Sequence, residues 1–240
     1  MATIDMTSTR RGAVAAAQPE SSLHVAGGIA ALLQGLAVIG SGVLFQVVSP
    51  AMGFNDSYWD EPSKAIPFVV AHQGYFYLTG LFLIVSALIV PPVVLALHAR
   101  LRARSPGLIS AATFFGALGA VMLLLNGTGQ YAEFHVFSSV STTVAQQAEP
   151  YGNIAFEATF DAAGVCLGLW TLLVSWAVIT RGGLPRWLGY FGVLVGIAYS
   201  LVLVTLPIGG LLSVPWLIGV GIALLRSPSV VGESELQTAG

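Results

Sequence analysis

Six apolar runs, at about 23–48, 71–97, 107–126, 154–180, 187–205 and 208–225, fill most of the chain. A helix needs roughly 20 mostly apolar residues to cross the hydrocarbon core of a bilayer, and each run is close to that length. Inside hydrocarbon every backbone N–H and C=O has to find its partner within the protein, so runs of this kind cross as helices. Charged residues make up 8% of the chain and hydrophobic residues 55%, whereas a soluble chain carries about 25% charged residues. The surface cannot be coated in polar groups, so lipid is its solvent. The predicted fold is all-α, a polytopic membrane helical bundle of about six transmembrane helices over residues 23–226. The polar segments 1–22 and 227–240 are expected to be disordered cytoplasmic tails.

The connections carry helix-breaking residues. Ser49-Pro50 ends the first run, Ser105-Pro106-Gly107 opens the third, and Arg181-Gly182-Gly183-Leu184-Pro185 separates the fourth from the fifth. Thr205-Leu206-Pro207-Ile208-Gly209-Gly210 is expected to be the tight turn between the last two. Segments 49–70 and 127–153 read as the longer outer loops. Cys166 is the single cysteine, so no intramolecular disulfide forms.

Orientation follows from the basic residues. Arg10, Arg11, Arg100, Arg102, Arg104, Arg181, Arg186 and Arg226 all fall on one side of a six-span arrangement, and Lys64 falls on the other. The positive-inside rule places the arginine side, with both termini, in the cytoplasm, and the expected location is a bacterial plasma membrane. Tyr58, Trp59, Tyr131 and Tyr151 suit the outer interface, and Trp187 and Tyr190 the inner one.

The fourth run carries Glu157, Asp161, Gly164, Gly168, Thr171 and Ser175 at spacings of four and three, one helical face of small and polar residues. Such a face favours close helix contact in lipid. Gln34, near the middle of the first run, is expected to hydrogen-bond between helices.

Ionisable groups at membrane depth are costly and mark candidate sites. At a rise of about 1.5 Å per residue, His72, Asn126, Gln130, Glu133, Glu157 and Asp161 reach similar levels near the outer surface. Asn126, Gln130 and Glu133 share one face if the third helix continues past Gly127 and Gly129, with His135 pointing elsewhere. These six residues are the candidate binding set, and Asp161 and Glu157 are the catalytic candidates. Glu157 and Asp161 equally suit a plain helix start, capped by Asn153. No His-Glu-x-x-His or comparable spacing occurs, so no metal site is assigned. His24 and His98 stand at the inner edge, unsuited to a haem between helices. The sequence specifies no cofactor.

The stretch Leu184-Pro185-Arg186-Trp187-Leu188-Gly189 running into a glycine-rich helix, with Trp216-Leu217-Ile218 before Arg226-Ser227-Pro228-Ser229, resembles a group of small bacterial six-span proteins known as a domain of unknown function. The resemblance is strongest over 184–230. It implies fold and location and brings no reaction or site residues with it.

Three functional readings stay open. The first is binding or permeation of a small molecule or ion at an outward-facing polar pocket. The second is an intramembrane enzyme acting on a lipid or isoprenoid-like substrate through Glu157 and Asp161. The third is a structural or accessory subunit, and an oligomer is compatible with all three. The lipid bilayer is the expected partner. The arginine clusters are too small for nucleic acid and suit anionic headgroups.

Overall fold

The computed structural model describes residues 6–54, 58 and 61–226, the side chains of 6–21 and 202–208 excepted. The expected tail at 227–240, residues 1–5 of the expected amino-terminal tail, and the acidic loop residues Asp56 and Asp60 lie outside the described residues. The described chain is helical. Its elements are α1 (Met6–Val43), α2 (Ser49–Ala51), α3 (Pro62–Ala71), α4 (Gln73–Leu101), α5 (Pro106–Ser139), α6 (Thr142–Arg181), α7 (Arg186–Ser200) and α8 (Val202–Leu225). A wide π turn, Leu44–Val48, joins α1 to α2. It lies just before Pro50, whose ring has no N–H to give and would press on an ordinary helical turn. The Leu44 carbonyl there accepts the Tyr75 hydroxyl at 2.9 Å. The α1 backbone is helical over 6–22, the stretch set apart in sequence as a tail.

Ser22–Ala51, Gln73–Leu101, Pro106–Ser139 and Thr142–Arg181 are long and apolar enough to cross a membrane, and Gly209–Leu225 is a shorter apolar helix. Contacts run α1 to α4, α4 to α5, α5 to α6, α6 to α7, α7 to α8 and α8 back to α1, so six helices close into a ring. The protein is a helical membrane bundle. On α1, Val25, Ile29, Leu33, Leu36, Ile39 and Val43 form an exposed apolar stripe. Ala30, Ala31, Gln34 and Ala37 face inward. Small residues let the backbones close up: a Cβ on Gly28 would strike Leu225, and one on Gly27 would strike Ala96.

The arginines gather at one end. Gly182 (φ +73°) and Gly183 (φ +101°) turn the chain out of α6 through the left-handed region that glycine enters without strain. Arg104 Nη1 donates to the Arg181 carbonyl and Arg100 Nε to the Gly183 carbonyl, both at 3.2 Å, supplying partners where the α6 ladder ends.

Two expected turns are helix instead. The segment 127–153, read as an outer loop, is taken up by the last turns of α5 and the first turns of α6. Gly127 does not break α5. A Cβ there would lie 2.9 Å from both Ile84 N and Leu83 Cβ, so glycine is what lets α5 approach α4. The turn expected at 205–210 lies earlier, at Leu201, and α8 runs through Pro207 and Gly209. Gly209 packs against the Ala198 backbone, with Cβ distances of 3.4 Å to its carbonyl carbon and oxygen. The early turn leaves α7 with 15 residues, about 22 Å of helix, short of the roughly 30 Å hydrocarbon core.

Candidate functional site

The extended ends of α5 and α6 build a polar layer that no loop could hold. Asn126, Gln130 and Glu133 lie on one α5 face, and His135 points away and is exposed. Asn126 is 1% exposed. Its Nδ2 donates to the Phe156 carbonyl at 2.8 Å and to Thr159 Oγ1 at 3.1 Å, tying α5 to α6. Its Oδ1 has no protein partner. Gln130 is buried, with Oε1 3.4 Å from the Thr79 hydroxyl of α4. That hydroxyl also donates to the Phe76 carbonyl at 2.8 Å, so its single proton is shared unequally.

The α6 half comes from Ala145, Glu149, Gly152 and Phe156, spaced four, three and four apart on one helical face. Glu149 is 1% exposed, and its Oε1 has no hydrogen-bond partner. Glu133 reaches across from α5 until its Oε1 touches the position a Gly152 Cβ would take. Glycine at 152 therefore makes room for the Glu133 carboxylate, one turn from Glu149. The two carboxylates are near enough for their charges to interact. Neither belongs to an ion pair among the described residues. Lys64 pairs with Glu61 at 2.8 Å on an exposed surface.

Apolar layers bracket this one. On the side away from the arginine end Phe54, Ile66, Val69, Phe76, Phe134, Phe137 and Ala145 pack together, with α3 lying across α5 and α6. Toward the arginine end Leu83, Ala87, Leu123 and Ala163 are buried with Phe156 and Phe160 against them. Counting about 1.5 Å per residue from Pro106 puts Asn126 about 30 Å up and Glu133 about 40 Å. The layer thus lies about 30–40 Å from the arginine end, a distance comparable to or slightly greater than the thickness of a hydrocarbon core.

The expected site is assembled only in part. Asn126, Gln130 and Glu133 come together as the shared face requires. His72 does not join them. It forms the break between α3 and α4, its Nδ1 is 3.0 Å from the Phe68 carbonyl, and its ring stacks on Phe68 at 4.2 Å. There it borders an open surface hollow of about 380 Å³ with Met52 and Tyr75. Glu157 is exposed and Asp161 half-buried, on a face of α6 next to the one that meets α5. Neither makes a hydrogen bond or ion pair among the described residues. The carboxylate pair of the buried layer is Glu133 with Glu149, not Glu157 with Asp161. Sequence reasoning passed over Glu149, Gly152 and Thr79. The helical spacing from Ala145 to Phe156 was the available signal, hidden by reading 127–153 as a loop. Among the described residues no group of three or more His, Cys, Asp or Glu could hold a metal ion.

The sequence pattern of a family described as "Domain of unknown function (DUF4386)" matches residues 51–236, well beyond the stretch that carried the resemblance. No curated protein and no solved structure matches the chain.

Proposed function

The chain belongs to the DUF4386 family, whose description assigns no activity, and from its outer polar layer we propose that the protein binds a small cation, or the cationic group of a small molecule, facing outward. The observation that carries this reading is Glu149, buried with an unpartnered oxygen beside the Glu133 carboxylate. Two neighbouring carboxylates without a basic partner repel, and a bound cation relieves this. Gln130 Oε1, about one turn along α5 from Glu133, adds a neutral oxygen of the kind hard cations favour. The apolar layer of Leu83, Leu123, Ala163 and Phe160 closes the way inward, which favours binding over free permeation. Glu157 and Asp161, lacking partners, lend no geometry to an acid–base mechanism.

The test uses purified protein in lipid nanodiscs, with thermal unfolding followed against sodium, potassium, magnesium, calcium and tetramethylammonium chlorides at equal ionic strength. At least one cation should stabilise the wild type, by about 2.7 kcal/mol at a hundred times its dissociation constant. Glu149→Gln should remove that response. A wild type indifferent to every cation, or a response that survives Glu149→Gln, would overturn the reading.

The proposed setting is a bacterial plasma membrane, crossed six times with both termini in the cytoplasm. The arginines at one end of the bundle support it, with exposed Trp187 and Tyr190 near them and exposed Tyr131 and Tyr151 toward the other end. Reporter fusions after residues 103 and 183 should give cytoplasmic signals, and fusions after 60 and 140 external ones. An external signal after 183 would break the alternation.

A further inference from the structure

Below the inner apolar layer, the ring holds a second group of buried polar side chains, apart from the outer carboxylates. A mostly apolar cavity of about 30 Å³ is bordered by Val90, Val93, Leu167 and Leu217 and the indoles of Trp170 and Trp216, with Gln34 of α1, Thr171 of α6, Tyr199 of α7 and Ser213 of α8 as its polar side chains. Gln34 lies 12 residues beyond Ser22, and Thr171 10 residues before Arg181. Both are about 15–18 Å from the arginine end, near the bilayer centre.

The hydrogen bonds around this cavity are unbalanced. Gln34 is 9% exposed, and its Oε1 has no partner, contrary to the interhelical bond expected from sequence. The Thr171 hydroxyl donates to the Leu167 carbonyl at 2.8 Å, and the Ser213 hydroxyl to the Gly210 carbonyl at 2.7 Å. The Tyr199 hydroxyl is close enough to Ser213 to interact with it. The Trp216 Nε1 proton goes to the Leu188 carbonyl at 3.2 Å. The Thr171, Ser213 and Trp216 protons are therefore committed to protein, while Gln34 keeps a buried acceptor without a partner beside its own amide N–H groups. A buried acceptor left unmatched costs about 1–3 kcal/mol. Trp170 and Trp216 meet edge to face at 5.8 Å and hold the walls apart.

We infer that this cavity is a binding site for one or two water molecules, held at the bilayer centre by Gln34. Water fits on three counts. The occupant has to donate a hydrogen bond, because Gln34 Oε1 is a buried acceptor without a partner. It has to be neutral, because no charged residue borders the cavity and an unpaired ion at this depth is costly. It has to be small, because about 10–15 Å³ of such volume holds one water, and the cavity has about 30 Å³. Ser175 Oγ and Ser200 Oγ, also buried without partners, lie in the adjoining seam between α6 and α7.

X-ray hydroxyl-radical footprinting of the wild type in nanodiscs, read by mass spectrometry, tests the inference. Radicals formed from trapped water oxidise side chains that bulk solvent does not reach. Trp216, Tyr199 and Leu217 should be labelled well above buried residues of the dry layer, such as Leu123. In Gln34→Leu, which fills the space and removes the acceptor, labelling at those positions should fall severalfold. Gln34→Met serves the same purpose if leucine is not accommodated. Labelling no greater than at Leu123 in the wild type would overturn the inference. Xenon uptake at the bundle centre would also overturn it, since xenon fills dry cavities.

Discussion

Gly168→Leu is expected to prevent the bundle from assembling stably. A Cβ at 168 would lie 2.7 Å from Ser200 N and 2.8 Å from the Gly196 carbonyl oxygen. Both are backbone atoms, so no rotamer change relieves the clash, and α7 itself has to move. The contact is reciprocal, because a Cβ on Gly196 would lie 2.9 Å from the Gly168 carbonyl. Overpacking of this kind costs about 1–3 kcal/mol, occasionally more, and leucine adds three carbons beyond the offending one. In lipid the loss weighs heavily, since helices there associate by close packing rather than by escape from water. The control is Gly42→Leu, where an added Cβ meets nothing within 4 Å. Size-exclusion profiles and thermal unfolding in detergent should show Gly168→Leu aggregated or strongly destabilised and Gly42→Leu close to wild type. Similar behaviour of the two would mean that α6 and α7 do not meet through Gly168.

The same glycines explain how far the sequence could be read. The apolar runs and the one-sided arginines made a helical membrane bundle legible, because length and hydropathy set what can cross a bilayer. Gly164 and Gly168 are legible as part of a packing stripe, because they repeat at helical spacing with Thr171 and Ser175. Gly127 and Gly209 were misread, because a glycine that ends a helix and one that admits a neighbouring backbone look alike in sequence. Only the neighbour decides between them, and Ile84 and Ala198 are distant in the chain. Gly182 and Gly183, beside Pro185, were read as a turn and are one.

Read as loop, 127–153 gives Glu149 no periodicity, whereas Glu157 and Asp161 stand inside an apolar run. Asn126, Gln130 and Glu133 share the face that their spacing announces. What the spacing could not announce was the pairing of that face with Glu149 and Gly152. That pairing depends on how α5 and α6 are set against each other, and no local pattern encodes it.

Glu133→Lys should substitute a built-in cation for the one the outer layer is proposed to bind. The lysine ammonium would stand beside Glu149, whose Oε1 lacks a partner, in a layer sheltered from bulk water by the aromatic cluster around Phe134. A hydrogen bond to a charged group adds about 1.5–3 kcal/mol to stability, and the like-charge repulsion of the native pair disappears with it. The variant should therefore unfold at a higher temperature than cation-free wild type, and added cations should no longer shift it. Glu133→Gln separates the two contributions, because it removes the repulsion without adding a charge, so its stability should lie between the two. Combining Glu133→Lys with Glu149→Gln should lower stability below both single variants, since a half-buried ammonium then has no carboxylate to face. If Glu133→Lys instead destabilises the protein and Glu149→Gln does not make it worse, the two side chains do not share a site. The outer layer would then be a set of polar groups on separate helix faces, with no place for a cation between them.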